Sequence, residues 1–371
     1  MSTEIFIQVE LYETIKKKYG VPQKGDILLT SVGTLGIPNL VDNEPFYFKD
    51  GNLTWFSNFK DALSEYIYMW LCTPMAKYQI DAKCIGSTQK ALTIETLRKF
   101  TLPLPTIDVQ KRICSIYFSL SEKIQQNNRI NKNLEEMAQA IFKSWFVDFE
   151  PFQDVEFVES ELGLIPKGWK VVSIGSICDV KGGKRLPKGE NLIQIANKHP
   201  YIRVQDLNNT LFAYLDKEYG YVDDETQKSI AWYIVFTNNV LISIVGTIGL
   251  IVKVHPSLNK ANLTENCVKL INLKIVTPDY LFLFLLSNAG QESLKKGTVG
   301  AVQAKLPIKN IQSLPLLLPP DSVINQFQSI VGDTLTLVSN NLTENCSLNE
   351  VRDTLLPKLM SGGIDVSKVT I

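Results

Sequence analysis

Residues 182–190, Gly-Gly-Lys-Arg-Leu-Pro-Lys-Gly-Glu, set three cations, three glycines and a proline in nine positions. Between Lys167 and Asn209 eight cations face three anions, whereas the whole 371-residue chain carries 38 cations and 38 anions and has no formal net charge. Local positive charge on a neutral chain is the footprint of a surface that faces a polyanion, because neutralising phosphates releases condensed counterions. Lys181, Lys184, Arg185, Lys188 and Arg203 are the cations it offers. Gly182 and Gly183, lacking side chains, are expected to let backbone amides approach phosphates. Arg185 has the donor fork to bond a guanine edge twice. The following Tyr-Ile-Arg-Val-Gln-Asp-Leu-Asn-Asn run adds Gln205 and Asp206, side chains suited to reading base edges. On these residues alone, a solvated basic hairpin explains the stretch equally well.

Catalytic chemistry has little material. Histidine occurs twice, His199 and His255, each followed by proline, and both are expected in turn or surface roles. The chain has no Gly-x-Ser-x-Gly elbow, no His-Glu-x-x-His and no complete phosphate-binding loop. The Asn/Asp-Pro-Pro-Tyr and Phe-x-Gly-x-Gly motifs of methyltransferases are also missing. Six cysteines (Cys72, Cys84, Cys114, Cys178, Cys267, Cys346) form no Cys-x-x-Cys pair and read as buried thiols, not a zinc site or disulfide frame. No run approaches the roughly 18 apolar residues of a membrane span, and the acidic start Met-Ser-Thr-Glu lacks a basic region followed by an apolar one. A cytoplasmic binding protein without metal or cofactor is the expectation.

The elements that must hold the basic loop come in two copies. Gly25–Gly36, Gly-Asp-Ile-Leu-Leu-Thr-Ser-Val-Gly-Thr-Leu-Gly, returns as Asn238–Gly249, Asn-Asn-Val-Leu-Ile-Ser-Ile-Val-Gly-Thr-Ile-Gly. Asn-Leu-Thr at Asn52 and Asn262 follows, then a helical stretch, then Gly-Ser-Thr-Gln-Lys-Ala-Leu-Thr-Ile and Gly-Ala-Val-Gln-Ala-Lys-Leu-Pro-Ile around Gln89 and Gln303. Each copy then has a proline-rich apolar run and a long helical segment, and self-similarity in one order signals a duplicated unit.

The two closing segments carry heptad-like spacing. Leu120, Ile124, Asn127, Asn131, Leu134, Ala138, Ile141 and Trp145 mark the first; Val331, Leu335, Val338, Asn341, Asn345, Leu348, Arg352, Leu355 and Leu359 mark the second. Asparagines midway along both seams suit a paired register. Two independent amphipathic helices are the alternative. Pro105 and Pro319–Pro320 are expected to stop preceding strands, and Pro357 to kink or end the second helix.

The fold class expected is α/β (α+β) domains separated by two long α-helices that pair as a coiled coil, with an internal twofold repeat. The expected divisions are 1–107 (a shortened first domain), 108–149 (first helix), 150–320 (complete second domain), 321–361 (second helix) and 362–371 (tail).

The Gly-Leu-Ile-Pro-Lys-Gly-Trp opening at 163–169, the basic glycine loop and the paired Gly-Thr-x-Gly turns carry a family resemblance. So do Asp-Val-Gln-Lys-Arg-Ile at 108–113, Lys-Ser-Trp-Phe-Val-Asp-Phe-Glu-Pro at 143–151 and Leu-Leu-Pro-Lys-Leu-Met-Ser-Gly-Gly at 355–363. Together they resemble the specificity subunit of type I restriction-modification systems. That resemblance implies a non-catalytic reader of a split sequence in double-stranded DNA, one domain per half. Its two target-recognition domains would be held apart by the helices, which would pair as an antiparallel coiled coil, space the halves and dock two methyltransferase subunits, with restriction subunits joining the complex. A helix of ~35 residues spans about 50 Å, roughly 15 base pairs. S-adenosylmethionine, ATP and magnesium would belong to the partners. Thr247 and Gln303 complete the candidate DNA-binding set. A protein-interaction scaffold, or a silent recombination cassette that has lost readout, is the alternative. The sequence departs from the pattern in one respect: 83 residues separate Gly163 from Gly246, whereas only 32 precede Gly33, so the first domain is expected to lack the opening and the basic loop.

Overall fold

The structure, a computed structural model, describes residues 6–42, 46, 52–84, 91–207, 210–216, 219–300 and 304–369. The chain divides into two compact units, Met1–Gln125 with Ser347–Ile371 and Gln126–Cys346. The division falls inside the two long helices, whereas the sequence reading placed its boundaries at their ends.

In the first unit, helix α1 (Val9–Tyr19) precedes strands β1 (Ile27–Thr30), β2 (Pro38–Leu40) and β3 (Leu53–Phe56), with β1 central and antiparallel to both neighbours. Helices α2 (Ser64–Leu71), α3 (Pro74–Lys83) and α4 (Ile94–Leu97) follow, then α5 (Ile107–Phe146). Ile27 and Leu29 on β1 meet Tyr66, Met69 and Ile80 in the core, which Ile113, Tyr117, Leu356 and Leu359 of the long helices close. The tail after residue 361 packs on this core through Ile364, Val366 and Val369.

The second unit starts with β4 (Phe157–Ser160), β5 (Gly163–Pro166), β6 (Lys170–Ser173), α6 (Ile174–Ile177) and β7 (Asp179–Gly182). It continues with β8 (Pro200–Ile202), β9 (Phe212–Ala213), β10 (Gly220–Tyr221), α7 (Asp224–Ile230), β11 (Val240–Ser243), β12 (Ile251–Val254), β13 (Asn262–Leu263) and β14 (Cys267–Ile271). Helices α8 (Pro278–Leu286), α9 (Asn288–Gly297) and α10 (Ile308–Gln312), strand β15 (Pro315–Leu318) and helix α11 (Asp321–Met360) complete it. The main sheet runs β7-β14-β11-β12-β9, and a smaller one β10-β8-β13. Side chains alternate along a strand, so Val240 and Ile242 enter the core shared with α8, while Leu241 enters a second core with Val252 and Leu263. Being covered on both faces explains why β11 and β12 are buried throughout and apolar but for Ser243 and Lys253.

Backbone hydrogen bonds establish the duplication residue by residue. Gly36 N–H donates to Thr30 O (2.8 Å) and Gly249 N–H to Ser243 O (3.0 Å). Ile37 N–H donates to Thr30 Oγ1 and Leu250 N–H to Ser243 Oγ, both 2.9 Å. Leu92 N–H reaches Ser31 O and Leu306 N–H reaches Ile244 O, both 2.9 Å. Gly33 and Gly246 have φ of 78° and 80°, the left-handed region that favours glycine. Thr73 caps α3 and Ser287 caps α9 through the amide three residues on. One element of the sequence alignment is corrected: Ser31 N–H bonds Asn52 O and Ile244 N–H bonds Asn266 O, so Asn52 matches Asn266, not Asn262.

A second correction concerns the proline-rich runs. In the second copy β15 forms because β6 pairs with it, Leu316 opposite Val172. Residues 101–106 form no strand; among the described residues the first copy has only α1 ahead of its sheet, so no counterpart of β6 is at hand. For the same reason α1 buries none of its residues, whereas Ile230 of the matching α7 packs with Tyr201, Leu186 and Leu192.

Helices α5 and α11 each have 40 residues, about 60 Å at 1.5 Å per residue. In the second unit they run antiparallel, Asn127 meeting Asn345, Asn131 meeting Asn341 and Phe142 facing Phe327. Asn127 Nδ2 donates to Asn345 Oδ1 (2.9 Å) and Glu344 Oε2 (2.8 Å), Asn345 Nδ2 to Asn128 Oδ1 (2.8 Å), and Asn341 Nδ2 to Asn131 Oδ1 (2.8 Å). A shifted register would bury these amides unpaired, at about 1–3 kcal/mol each. Of the expected seam, Leu335 and Val338 are fully buried; Leu134, Ile141 and Trp145 pack on the same core from half-buried positions. In the first unit Leu359 is buried and Leu355 packs beside it, while Leu120, Ile124 and Leu348 are half-buried. Pro357 lies inside α11, three residues before its end, so it neither stops nor shortens the helix.

Candidate nucleic-acid interface

Three loops leave one end of the five-stranded sheet. Gly182 opposite Val268, Ser243 opposite Cys267 and Ile242 opposite Ile251 fix the register there, so the basic loop 183–199, the Gly-Thr-x-Gly loop 244–250 and the turn 264–266 emerge together. Segment 304–306 joins them through Leu306 N–H on Ile244 O (2.9 Å). Strands β8 and β13 run parallel, Ile202 beside Leu263, and deliver Arg203 to the same end.

Each candidate side chain has a definite place. Lys181 lies on the outer strand β7 and is exposed. Lys184 is anchored by its backbone, donating to Leu263 O (2.8 Å) and accepting from Tyr201 Oη (2.7 Å), and its Nζ lies 5.6 Å from the centre of the Tyr233 ring. Lys188 and Gly189, φ 95°, form the exposed turn that closes on Glu190. Thr247 is exposed, and its carbonyl accepts from Ser243 Oγ at 2.6 Å. Gln303 lies outside the described residues.

Arg185 is 81% exposed, with Nε on Glu265 Oε1 at 2.6 Å. That hydrogen bond and the charge behind it raise the guanidinium's already high pKa. Burial pushes the Glu265 carboxyl up, but the bond from Arg185, its own backbone amide and Thr264 outweigh that, and the net shift is downward. Glu265 therefore stays ionised and offsets one cation of the loop. Counting charge along 167–209 missed it because it lies 80 positions further on.

Two expectations change. Gly183 does not offer its amide to phosphate, because that N–H bonds Cys267 O at 2.9 Å. Glycine is required there for another reason: an added Cβ would sit 2.1 Å from Thr264 O and 2.4 Å from Leu263 O. Gly182 has room, with Ile308 Cδ1 at 3.7 Å its nearest neighbour. Arg203 and Asp206 are occupied with one another, Nη2–Oδ1 2.8 Å and Nε–Oδ2 3.0 Å, and Asp206 also accepts the Arg203 N–H at 2.7 Å. With its amide oriented to suit, exposed Gln205 places its oxygen 3.1 Å from Arg203 Nη2. The trio holds the turn after β8, and base reading by Arg203 or Asp206 needs that pair to open.

Both histidines are engaged by groups of the second unit. His199 Nε2 is 2.7 Å from Asp224 Oδ1. His255 occupies a turn as expected but is buried, not on the surface. Its Nδ1 accepts from Ser257 N–H (3.1 Å), which leaves Nε2 to donate to Ser339 O (3.0 Å) on α11. Burial lowers its pKa. All six cysteines are free; burial pushes the Cys114, Cys178 and Cys267 thiols up to about 12, while Cys72 is exposed and Cys84 and Cys346 are half-buried. Among the described residues no three His, Cys, Asp or Glu side chains gather as a metal site, and no helix is long and apolar enough to cross a membrane.

The arrangement defines a class: a duplicated α+β binding module with a cationic loop end, built around two long helices. The model of the type I restriction modification DNA specificity domain matches residues 2–136 and 166–352, and the chain belongs to that family. It is 28% identical over 360 residues to the type I restriction enzyme MjaIX specificity subunit of Methanocaldococcus jannaschii, covering 93% of this chain and 79% of that one. Against the type I restriction enzyme HindI specificity subunit of Haemophilus influenzae it is 22% identical over 407 residues, covering 92% and 87%. The crystal structure of the type I restriction-modification S subunit from M. genitalium superposes with a TM-score of 0.55 at 18% identity, over 92% of this chain and 84% of that one, a likeness of fold.

Proposed function

We propose that this chain is the non-catalytic DNA-reading subunit of a type I restriction-modification complex. In this reading the loop end of the second unit reads one half of a split target in double-stranded DNA. The first unit addresses the other half with a smaller set of elements. The paired helices dock two methyltransferase subunits, and restriction subunits join through them. S-adenosylmethionine, ATP and magnesium chemistry belongs to those partners, and the complex works in the cytoplasm. The observation that carries the reading is the convergence of Lys184, Arg185, Lys188 and the Gly-Thr-x-Gly loop at one sheet end, in a chain whose relatives are specificity subunits.

The test is DNA affinity of the full chain assembled with a type I methyltransferase, measured across salt concentrations. Lys184→Ala/Arg185→Ala/Lys188→Ala should weaken binding and flatten the log–log salt slope by about 0.9 for each phosphate no longer neutralised. Unchanged affinity and slope would exclude the loop from the interface. A complex that assembles yet binds no DNA in its unaltered form would favour a scaffold.

A further inference from the structure

Trp232 is 91% exposed, an unusual state for a side chain that is highly buried on average. It sits mid-way in the 3-10 turn Ala231–Tyr233 that follows α7. Its neighbour Tyr233 packs against the same buried cluster, Tyr201, Val222 and Ile230, as Leu186 and Leu192 of the basic loop, and lies under the Lys184 ammonium. The other copy repeats the feature. Tyr19, at the end of α1, is 68% exposed, and the Lys18 Nζ stands 4.7 Å from the centre of its ring. Tyr19 precedes Ile27, the first residue of β1, by eight positions, and Trp232 precedes Val240, the first residue of β11, by eight. The duplication therefore sets an exposed aromatic residue at the same distance along the chain from the central strand in both units.

Both aromatic residues follow a helix turn that carries lysine. Lys16, Lys17 and Lys18 fill the last turn of α1, and Lys228 the last turn of α7. Protein–protein interfaces are depleted in lysine, whereas an aromatic ring beside cations is the recurrent platform on which a nucleic-acid base stacks. Apolar side chains inserted between base steps also unstack and kink duplex DNA. We propose that Trp232 and Tyr19 are stacking wedges: each enters the duplex at its own half-site and separates a base step beside the recognition loops. The inference rests on the DNA-reading role proposed above and extends it to a distortion of the target.

The assay uses the full chain in its methyltransferase complex and duplexes carrying 2-aminopurine at each position in turn. The unaltered complex should brighten 2-aminopurine at the separated step. Trp232→Ala should remove that signal and weaken affinity on the order of tenfold, within the range found for losing one stacking aromatic; Trp232→Phe should keep part of both. Tyr19→Ala should act at a different duplex position. Because both residues are exposed, thermal unfolding of the variants should match the unaltered chain. Affinity within twofold of the unaltered complex, or weaker affinity with the fluorescence signal intact, would overturn the wedge and leave DNA reading standing. An unaltered complex that binds no DNA would overturn both.

Discussion

Glu265→Gln should tighten DNA binding. Glu265 is a carboxylate at the loop end, held ionised and bonded to Arg185, the arginine of the basic loop, at 2.6 Å. The pair joins an exposed arginine to a half-buried glutamate at the solvent boundary, where an ion pair adds little to folding, so its loss should leave thermal stability nearly unchanged. Neutralising it frees Arg185 for one more phosphate. Each phosphate so neutralised releases about 0.9 counterion, which at 0.15 M salt is worth about 1 kcal/mol, or roughly fivefold in affinity. The salt slope should steepen by about 0.9 as well. Fluorescence anisotropy of labelled duplex across 50–300 mM salt reads both quantities, and in an Arg185→Ala background the gain should vanish. Weaker binding by Glu265→Gln would refute the reasoning, because it would mean that Glu265 orients Arg185 for a base and does not compete with DNA for it.

Two buried polar groups lie toward the other end of the sheet, where Lys253 faces Val240. Buried Lys253 pairs with Asp279, which also accepts from Gln328 Nε2 of α11 at 2.7 Å. Asp279→Ala should cost about 3–5 kcal/mol in calorimetric unfolding, because it leaves an ammonium buried without a partner, and Lys253→Met/Asp279→Leu should recover most of it; equal losses in both variants would contradict this. The lowered His255 pKa sets a pH window. Its neutral form is the folded one, so its contribution is complete above the unfolded value of about 6.5. That contribution declines as pH falls through the lower folded pKa, by at most about 1.4 kcal/mol per pH unit. Unfolding midpoints between pH 5 and 8 should show this slope, and His255→Asn should flatten it.

The duplication was legible because Gly-Thr-x-Gly demands left-handed glycines, and that demand marks the sequence twice. The long helices were legible from their spacing and their seam asparagines, whose partners are each other. Phe142, Phe146 and Phe327 were missed, although they are buried and pack together, because the helices broaden there from a narrow seam onto the unit's core. The first helix stops at Phe146, short of the expected 149, where Phe149 turns left-handed at φ 54°. Strand formation at 101–106 was misread because a strand requires a partner that the local sequence does not name. Glu265, Tyr201 and Tyr233 shape the basic loop from distant positions, and only the sheet registers bring them to it. The loop's cations were visible as composition; the pairings of Arg185 with Glu265 and of Arg203 with Asp206 were not.

The most direct test of the account is the motif that the assembled complex methylates. The full chain, co-expressed with a type I methyltransferase in a host free of other methylases, should yield a split motif. Altering Lys184, Arg185, Lys188 and Thr247 should change or abolish recognition of one half and leave the other half and the spacing intact. A motif unaffected by those changes, with methylation at full level, would contradict the claim that the loop end of the second unit reads DNA.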